Sequence, residues 1–286
     1  MSAIAALLPD GRLHLQHGPI DCLCRACGPP EEVRAAYRQA SDFFATVLGD
    51  LCDELPLLRA ALPTPQPSGP VARAMHAACM PFSDRFITPM AAVAGAVADA
   101  VLAAMVDGRE LSRAFVNNGG DIAFHLAPGT SLRCGLVTDL ADSGLDGAFL
   151  LTSGQPARGL ATSGRACKGH GGRSFSFGIA DAVTVLARTA AQADAAATMI
   201  GNAVDLPGHP AIDRRPAIEI DPASDLGDRL ITFDVGPLSG DAIEAALDAG
   251  AMMADSMRRD GLIEAAVLAL RRRMRVCYPV LTLEPA

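Results

Sequence analysis

The fold is decided by two neighbouring stretches, TPMAAVAGAVADAVLAAMVDG at residues 88–108 and RAFVNNGGDIAFHL at residues 113–126. The first predicts a helix that starts at Thr88 and Pro89, because threonine can cap free backbone N–H groups and proline suits the first helical position. Gly108 predicts the end of this helix. Apolar residues cover nearly all of its sides, which predicts a central position in the core.

The second stretch predicts a β-hairpin with a tight turn. The turn is Asn117-Asn118-Gly119-Gly120, and asparagine and glycine tolerate the positive φ angles that such a turn requires. Asp121 follows the turn directly. Its carboxylate is a candidate catalytic general base or metal partner. The alternative is that the segment is selected for its turn dihedrals alone.

Further elements extend in both directions from this centre. Upstream, we predict a hairpin over 11–26, a helix from Gly28 to about 52–58 and an exposed proline-rich connector over 63–70. Downstream, we predict strands near 132–137, 147–152, 158–162, 180–187, 217–220, 229–235 and 275–281, and helices near 189–204, 240–258 and 261–272.

Hairpins mixed with long helices predict an α+β fold rather than a regular βαβ series. We therefore expect mixed or antiparallel sheets with hairpins, together with long, alanine-rich packed helices. The length of 286 residues suits one unit spanning 1–286, with two subdomains as the alternative.

Composition excludes some classes of function. The chain has 24 Lys+Arg against 32 Asp+Glu, no tryptophan and 4% aromatic residues, so neither the basic face nor the stacking platforms of a nucleic-acid-binding protein are expected. The N-terminus lacks the pattern of a signal peptide, so we expect a cytoplasmic protein with eight free thiols. The apolar run 87–106 is long enough to span a membrane, but Asp99 in its middle favours a buried helix and no membrane partner.

Three closely spaced cysteines, Cys22, Cys24 and Cys27, are a possible metal cluster. The spacing lacks the second half of a zinc site, and Cys22 and Cys24 would share one face of a strand. The favoured interpretation is therefore a packed strand.

A glycine-rich segment at 164–178 is a candidate phosphate site. Backbone N–H groups of such a loop can approach phosphate oxygens closely, and arginine or lysine adds positive charge. The alternative is a mobile surface loop. The candidate cofactor-binding residues here are Thr162, Ser163, Gly164, Arg165, Lys168, His170 and Arg173.

Asp194 and Thr198 are a candidate metal pair, because residues four apart on a helix share a face. A carboxylate and a hydroxyl, completed by backbone carbonyls and phosphate oxygens, suit Mg²⁺. The alternative is an ordinary polar edge of a helix.

Several of these segments occur together, in the same order, in the ApbE-like superfamily. Residues 116–122, Val-Asn-Asn-Gly-Gly-Asp-Ile, resemble its N-x-G-G-D segment, and residues 161–164, Ala-Thr-Ser-Gly, resemble its S-T-S-G segment. Residues 180–185 and 193–198 resemble its S-V-T-V strand and its A-D-A-x-A-T helix. The region that carries these motifs spans 87–204.

The chain resembles most closely the UPF0280 branch of this superfamily. The segments that carry this resemblance are 17–21 (His-Gly-Pro-Ile-Asp), 88–95, 174–178 and 225–228. It covers most of the chain.

ApbE-type transferases move FMN from FAD to a Thr or Ser of a target protein. The resemblance therefore implies a nucleotide-type ligand, FAD, and Mg²⁺ held by Asp194, Thr198 and a backbone carbonyl at Ala94. Such a cation bridges the FAD pyrophosphate and makes the FMN phosphate a better electrophile.

The resemblance also implies that the turn residues Asn118, Gly119 and Gly120 belong to the cofactor site. The chain departs from the transferases at positions that help to hold the flavin nucleotide. An acid is replaced by Thr88, a lysine is replaced by Ala94, and a longer stretch is reduced to residues 174–180. A smaller or different nucleotide is compatible with these changes.

Three functions fit this pattern. One is an Mg²⁺-dependent FMN transferase or FAD pyrophosphatase, whose acceptor protein is unknown. Another is a non-catalytic protein that holds a flavin or other nucleotide. The third is an assembly protein on the same scaffold, because alanine-rich helices can pack against another subunit and form a homo-oligomer.

Overall fold

The computed structural model describes residues 2–136, 147–164 and 175–277, which divide between two compact units. The first unit consists of Met1–Cys134, Leu150–Ala161 and Leu186–Ala195. The second consists of Gly135–Phe149, Thr162–Val185 and Ala196–Ala286.

Strands and helices alternate along the chain in an irregular order. The strands are β1 (Ile4–Leu7), β2 (Leu13–His17), β3 (Ile20–Cys27), β4 (Arg113–Asn118), β5 (Asp121–Leu126), β6 (Ser131–Leu136), β7 (Gly147–Thr152), β8 (Gly159–Ser163), β9 (Ala182–Ala187), β10 (Ile212–Pro216), β11 (Leu230–Val235), β12 (Ala265–Leu270) and β13 (Arg273–Cys277). The helices are α1 (Pro30–Asp53), α2 (Leu55–Leu58), α3 (Pro70–Cys79), α4 (Val93–Val106), α5 (Ala190–Ala203), α6 (Ala217–Ile220) and α7 (Gly240–Arg259).

The first unit is built on an antiparallel sheet with the strand order β1-β2-β3-β4-β5-β8. The hairpins predicted over 11–26 and 113–126 are confirmed as β2–β3 and β4–β5. Cys22 and Cys24 lie on the buried face of β3, as their spacing predicts. Burial raises the pKa of Cys24 to about 12, so this thiol packs as a small apolar residue.

Helix α4 lies in the core of the first unit, as its apolar composition predicts. It contacts α1, α3, β4 and β5. Its buried residues occur on most of its sides, and they are Gly95, Ala96, Val97, Ala98, Val101, Leu102 and Met105. Helix α1 buries a stripe at helical spacing, formed by Ala36, Ala40, Phe44, Val47 and Leu51.

The segment Pro89–Val106, with a mean hydropathy of 1.8, is long and apolar enough to cross a membrane. Half of it is buried inside the protein, and a core helix meets the same criterion. The contacts of α4 with α1, α3, β4 and β5 account for the buried part of this segment.

The start of this helix differs from the prediction. Thr88 has an extended backbone and makes no capping hydrogen bond through its side chain. Pro89–Ala92 forms a 3-10 turn, and α4 begins only at Val93. The predicted threonine cap is therefore wrong, and the N–H groups of α4 find their acceptor on another helix.

In the second unit the strand order is β9-β12-β13, and α7 packs against β12 and β13. All six residues of β12 are buried. Strands β10 and β11 form a separate antiparallel pair. The antiparallel sheets and packed helices confirm the predicted α+β class.

Two predictions for the second unit are wrong. The helix predicted near 261–272 is strand β12, because a short run of six buried apolar residues has no period that separates helix from strand. The strand predicted near 217–220 is the single helical turn α6, and the strand lies just before it at Ile212–Pro216. Part of the strand predicted near 275–281 lies in β13, and its residues 278–281 fall outside the described residues.

Sequence reasoning also missed two elements of the first unit. Helix α3 begins at Pro70, the residue at which the proline-rich connector was expected to end. Strand β1, Ile-Ala-Ala-Leu, is four residues long and exposed throughout. It could not be predicted because its residues do not alternate between apolar and polar.

Two glycines allow the start of α5 to touch other backbone segments. A Cβ atom on Gly95 of α4 would lie 2.2 Å from the carbonyl oxygen of Ala190, and one on Gly159 of β8 would lie 2.0 Å from the Ala190 nitrogen. No side chain fits at either position, so backbone packs directly against backbone.

The close approach at Gly95 predicts a large loss of stability on substitution. Gly95→Ala should lower the free energy of unfolding by about 3 kcal/mol or more, because rigid backbone atoms must move apart. Gly49→Ala is the matched control, since Gly49 lies on an exposed side of α1 with open space around its Cβ position. It should be neutral or stabilising by about 1 kcal/mol. Urea unfolding measures both, and equal stabilities would contradict the described contact.

Candidate functional site

Helices α4 and α5 cap one another through two aspartates. The carboxylate of Asp99 on α4 accepts the N–H groups of Ala190 and Ala191, each at 2.9 Å, at the start of α5. The carboxylate of Asp194 on α5 accepts the N–H of Gly95, at 3.0 Å, in the first turn of α4. Each carboxylate thus satisfies N–H groups that a helix start leaves without intrahelical partners.

A third side chain reaches the same point from the β4–β5 turn. The side-chain N–H of Asn118 donates to the carbonyl oxygen of Ala94 at 3.1 Å. The Ala94 carbonyl and the Gly95 N–H belong to one planar peptide group. Asn118 therefore holds the oxygen end of this peptide, and Asp194 holds its nitrogen end.

The turn that carries Asn118 is itself well defined. Gly119 and Gly120 have φ angles of 66° and 109°, and the N–H of Gly120 donates to the side chain of Asn117 at 2.8 Å. Asn118 and Asp121 lie directly opposite each other in the hairpin, and both are buried. The positive φ angles of both glycines are those that the sequence predicted for the turn.

Burial shifts the acidity of both capping aspartates. It raises the pKa of Asp194 from 3.8 to about 7, against the N–H groups of Gly95 and Ala94, which lower it. It raises the pKa of Asp99 to about 6, against the N–H groups of Ala191 and Ala190. Charge on Asp194 is therefore costly near neutral pH unless a cation lies beside it.

The thiol of Cys79 shares this environment. Cys79 is fully buried, and its pKa is raised by burial and further by the Asp194 carboxylate. A neutral thiol next to Asp194 contributes apolar surface and no charge.

In the second unit, three residues of the predicted phosphate site, Thr162, Ser163 and Gly164, lie at the start of the glycine-rich segment. The hydroxyls of Thr162 and Thr184 are 2.9 Å apart in a hydrogen bond. Gly164 has a φ of 137°, and a Cβ atom there would lie 2.5 Å from the Asp181 carbonyl oxygen. Glycine is therefore required at this position for both conformation and space. Ser163 is only partly buried.

The other end of this segment is anchored by a polar network in the second unit. The carbonyl of Phe177 accepts hydrogen bonds from Arg214 and, at 3.1 Å, from the hydroxyl of Thr232. Its N–H donates to the Asn202 side chain at 3.0 Å. Arg214 also pairs with Asp205 at 2.5 Å. Sequence reasoning missed this network, because its members are far apart in the chain.

Four predicted cofactor residues lie outside the described residues, namely Arg165, Lys168, His170 and Arg173. Thr198 follows Asp194 by one turn of α5 and is partly buried. Among the residues that the structure describes, no group of three or more His, Cys, Asp or Glu side chains is arranged to hold a metal ion. Any cation at Asp194 would depend on neutral oxygen donors as well.

Asp99 is the residue of this site that sequence reasoning did not assign. Its signal was present, because it is the one charged residue in the apolar run 87–106. A carboxylate in such a run needs a specific partner. The partner, the start of α5, is 91 residues away and could not be identified from spacing.

These features define a class of protein with a mixed α and β fold on antiparallel sheets, in which a helix-borne carboxylate lies at the start of a second helix. A family model described as "AbpE bacteria" matches residues 5–276. The chain therefore belongs to this ApbE-like family, and the resemblance to its UPF0280 branch is confirmed by curated relatives.

Three of these relatives are UPF0280 proteins from archaea. The one from Methanospirillum hungatei is 39% identical over 45% of this chain and 50% of its own length. Those from Methanothermobacter thermautotrophicus and Archaeoglobus fulgidus are 41% and 42% identical, over 42% and 41% of this chain and 44% and 45% of their own. The chain thus spans about half the length of the curated relatives it matches.

A solved structure, the apo form of the Pseudomonas stutzeri flavinyl transferase ApbE, aligns over 96% of this chain and 95% of its own. The TM-score is 0.44 and the sequence identity 12%. A likeness of this size carries no information on the reaction.

The raised pKa of Asp194 predicts a pH-dependent stability. Because the folded pKa of about 7 exceeds the ordinary value of 3.8, folding favours the neutral acid, and this stabilisation is lost as pH rises from about 4 through 7. Asp194→Asn removes the Asp194 part of this titration and leaves that of Asp99, so the variant should gain roughly 2–4 kcal/mol relative to the wild type between pH 4 and pH 8. Denaturant unfolding at several pH values measures this difference.

The control for this titration is Asp50→Asn, an exposed position on α1. Its stability relative to the wild type should stay constant within about 0.5 kcal/mol over the same range. A parallel pH dependence of the wild type and Asp194→Asn would show that the pKa of Asp194 is the same in the folded and unfolded states, which contradicts the raised pKa.

Proposed function

We propose that this protein binds a flavin nucleotide such as FAD together with Mg²⁺, and that it acts as an FMN transferase or an FAD pyrophosphatase. The observation that carries the proposal is the carboxylate of Asp194, held at the first turn of α4 with a pKa raised to about 7. Membership of the ApbE-like family supports the flavin ligand.

Asp194 fits a divalent cation. A carboxylate has about four acceptor positions, and Mg²⁺ prefers oxygen ligands of this kind. A cation would also favour the ionised form of a buried acid that otherwise takes up a proton. The sequence spacing adds the Thr198 hydroxyl as a second proposed ligand.

Ala94 fits less well than the resemblance implies. Its carbonyl oxygen accepts the Asn118 side chain, and as a residue of the first turn of α4 it also accepts the N–H four residues later. Two hydrogen bonds occupy both lone pairs of a carbonyl oxygen. The Ala94 carbonyl can therefore bind a cation only if Asn118 gives up its hydrogen bond to this oxygen.

When bound, Mg²⁺ would neutralise charge on a diphosphate and make its phosphorus a better electrophile. The residues of the protein would hold the substrate in place and transfer protons. We propose that the backbone of Thr162, Ser163 and Gly164 contacts the phosphates. The backbone of Gly119 and Gly120 is proposed to contact the nucleotide as well. Asp121 is the proposed general base.

Basic residues of the glycine-rich segment, Arg165, Lys168, His170 and Arg173, would balance phosphate charge. We propose a cytoplasmic protein that acts without nucleic acid or membrane, and whose packed helices allow a homo-oligomer. A target protein would be the acceptor if the reaction is a transfer.

A second candidate is a non-catalytic nucleotide-binding or assembly protein on the same scaffold. Thr88 is only 4% exposed, so the position of the transferase acid presents almost no surface to a ligand. Ala94 offers no ammonium group to the flavin nucleotide. Both departures reduce the contacts available for transfer but leave Asp194 intact.

Calorimetric titration of the metal-free protein with FAD, with and without Mg²⁺, tests the proposal. Mg²⁺ should strengthen FAD binding, and Asp194→Asn should reduce the affinity with Mg²⁺ by about tenfold or more, equivalent to about 1.4 kcal/mol, because the charged ligand of the cation is lost. Asp50→Asn should bind like the wild type.

Chromatography of the same mixtures separates the two candidates. FMN and AMP would identify a pyrophosphatase, and FMN bound to an added protein would identify a transferase. Tight binding without product would favour the carrier. If the wild type binds FAD in neither condition, the proposal is wrong.

A further inference from the structure

The position of Asn118 points to a role other than contact with a nucleotide. Its side chain is only 7% exposed, which leaves little of it for a ligand to touch. Its described polar contact is with the Ala94 carbonyl oxygen. The sequence pattern grouped it with the turn glycines, but the structure directs it toward the start of α4.

A peptide group held at both ends cannot rotate without losing both hydrogen bonds. The Asn118 side chain donates to the oxygen of the Ala94–Gly95 peptide, and the Gly95 N–H of the same peptide donates to Asp194. Donation to the carbonyl oxygen also polarises the peptide and strengthens its N–H as a donor. One of the N–H groups that contact the Asp194 carboxylate, that of Gly95, therefore belongs to a peptide that Asn118 holds at its other end.

The β4–β5 ladder, in which Asn118 lies opposite Asp121, places Asn118 for this contact. The Asn117 side chain closes the turn by accepting the Gly120 N–H, and β4 packs against α4. Asn117 thus fixes the turn, whereas Asn118 extends from it to the neighbouring helix. The side chains of the two adjacent asparagines therefore make separate contacts, one within the turn and one with α4.

We infer that Asn118 is a positioning residue: it holds the Ala94–Gly95 peptide so that the Gly95 N–H fixes the Asp194 carboxylate for a divalent cation. The inference rests on the proposed function, because it gives Asp194 a cation to bind. Residues that orient metal ligands typically change metal affinity by 10- to 100-fold when removed.

The effect should differ between two cations. Mg²⁺ demands near-ideal octahedral geometry, whereas Ca²⁺ accepts a flexible ligand shell. Loss of a positioning contact should therefore weaken Mg²⁺ binding more than Ca²⁺ binding. A general loss of stability would weaken both alike.

The test compares Asn118→Ala and Asn118→Leu with Asn117→Ala in the full chain. Calorimetry with Mg²⁺ alone, Ca²⁺ alone and FAD alone gives three affinities for each variant. We expect both Asn118 variants to lose about tenfold in Mg²⁺ affinity and less in Ca²⁺ affinity, with metal-free FAD affinity unchanged. Hydrogen exchange at the Gly95 amide should also quicken, and Asn117→Ala should retain the wild-type ratio of Mg²⁺ to Ca²⁺ affinity.

Other outcomes overturn the inference in different ways. Weaker metal-free FAD binding with unchanged Mg²⁺ affinity would make Asn118 a nucleotide contact and leave the proposed function standing. Equal losses for Mg²⁺ and Ca²⁺ would show that Asn118 contributes only stability, and a gain in Mg²⁺ affinity would show that Asn118 competes with the cation for the Ala94 carbonyl; either result overturns the inference. A wild-type protein that binds no divalent cation would overturn the proposed function and this inference together.

Discussion

The direct contact between the backbones of Gly95 and Ala190 is the constraint on which the rest of the first unit depends. It brings the starts of α4 and α5 so close that each helix supplies the carboxylate for the other. The cost of burying two acids is offset by N–H groups that a helix start leaves unpaired. Substitution at Gly95 would separate the helices and leave both carboxylates without these donors.

The same constraint produces the chemistry of the site. A carboxylate that accepts backbone N–H groups at a helix start is usually strongly acidic. Here burial outweighs those hydrogen bonds, and the pKa of Asp194 rises to about 7. Such an acid is the one that the proposed cation would convert to its charged form near neutral pH. The helix pair thus both packs the core of the unit and carries the acid with the raised pKa.

Local patterns predicted the parts of the fold that have a clear period or a diagnostic turn. The hairpin around Gly119 and Gly120 and the central helix α4 are of this kind. Strand β12 was misassigned because its Ala-Ala-Val-Leu-Ala-Leu run is apolar at every position, and its burial is set by neighbouring elements. The start of α4 was misjudged because its cap comes from α5, about 100 residues downstream.

The residues of the candidate site also divide into those that local sequence patterns predicted and those whose contacts depend on distant parts of the chain. Asp194 could be predicted from its helical spacing to Thr198 and from family motifs. The contacts of Asp99 and Asn118 could not, because each reaches a backbone group that carries no sequence signature. Ala94 was predicted as a metal ligand from the resemblance, and the hydrogen bond from Asn118 became visible only in three dimensions.

Carboxyl-carbon NMR of protein labelled with ¹³C-aspartate, titrated with and without Mg²⁺, measures the pKa of Asp194 and its response to the cation. Asp194→Asn would assign the signal. We expect a titration near pH 7 in the metal-free protein, and a clear shift to lower pH when Mg²⁺ is added. A carboxyl signal that titrates near its ordinary pH, or one that Mg²⁺ leaves unmoved, would contradict a cation site at Asp194.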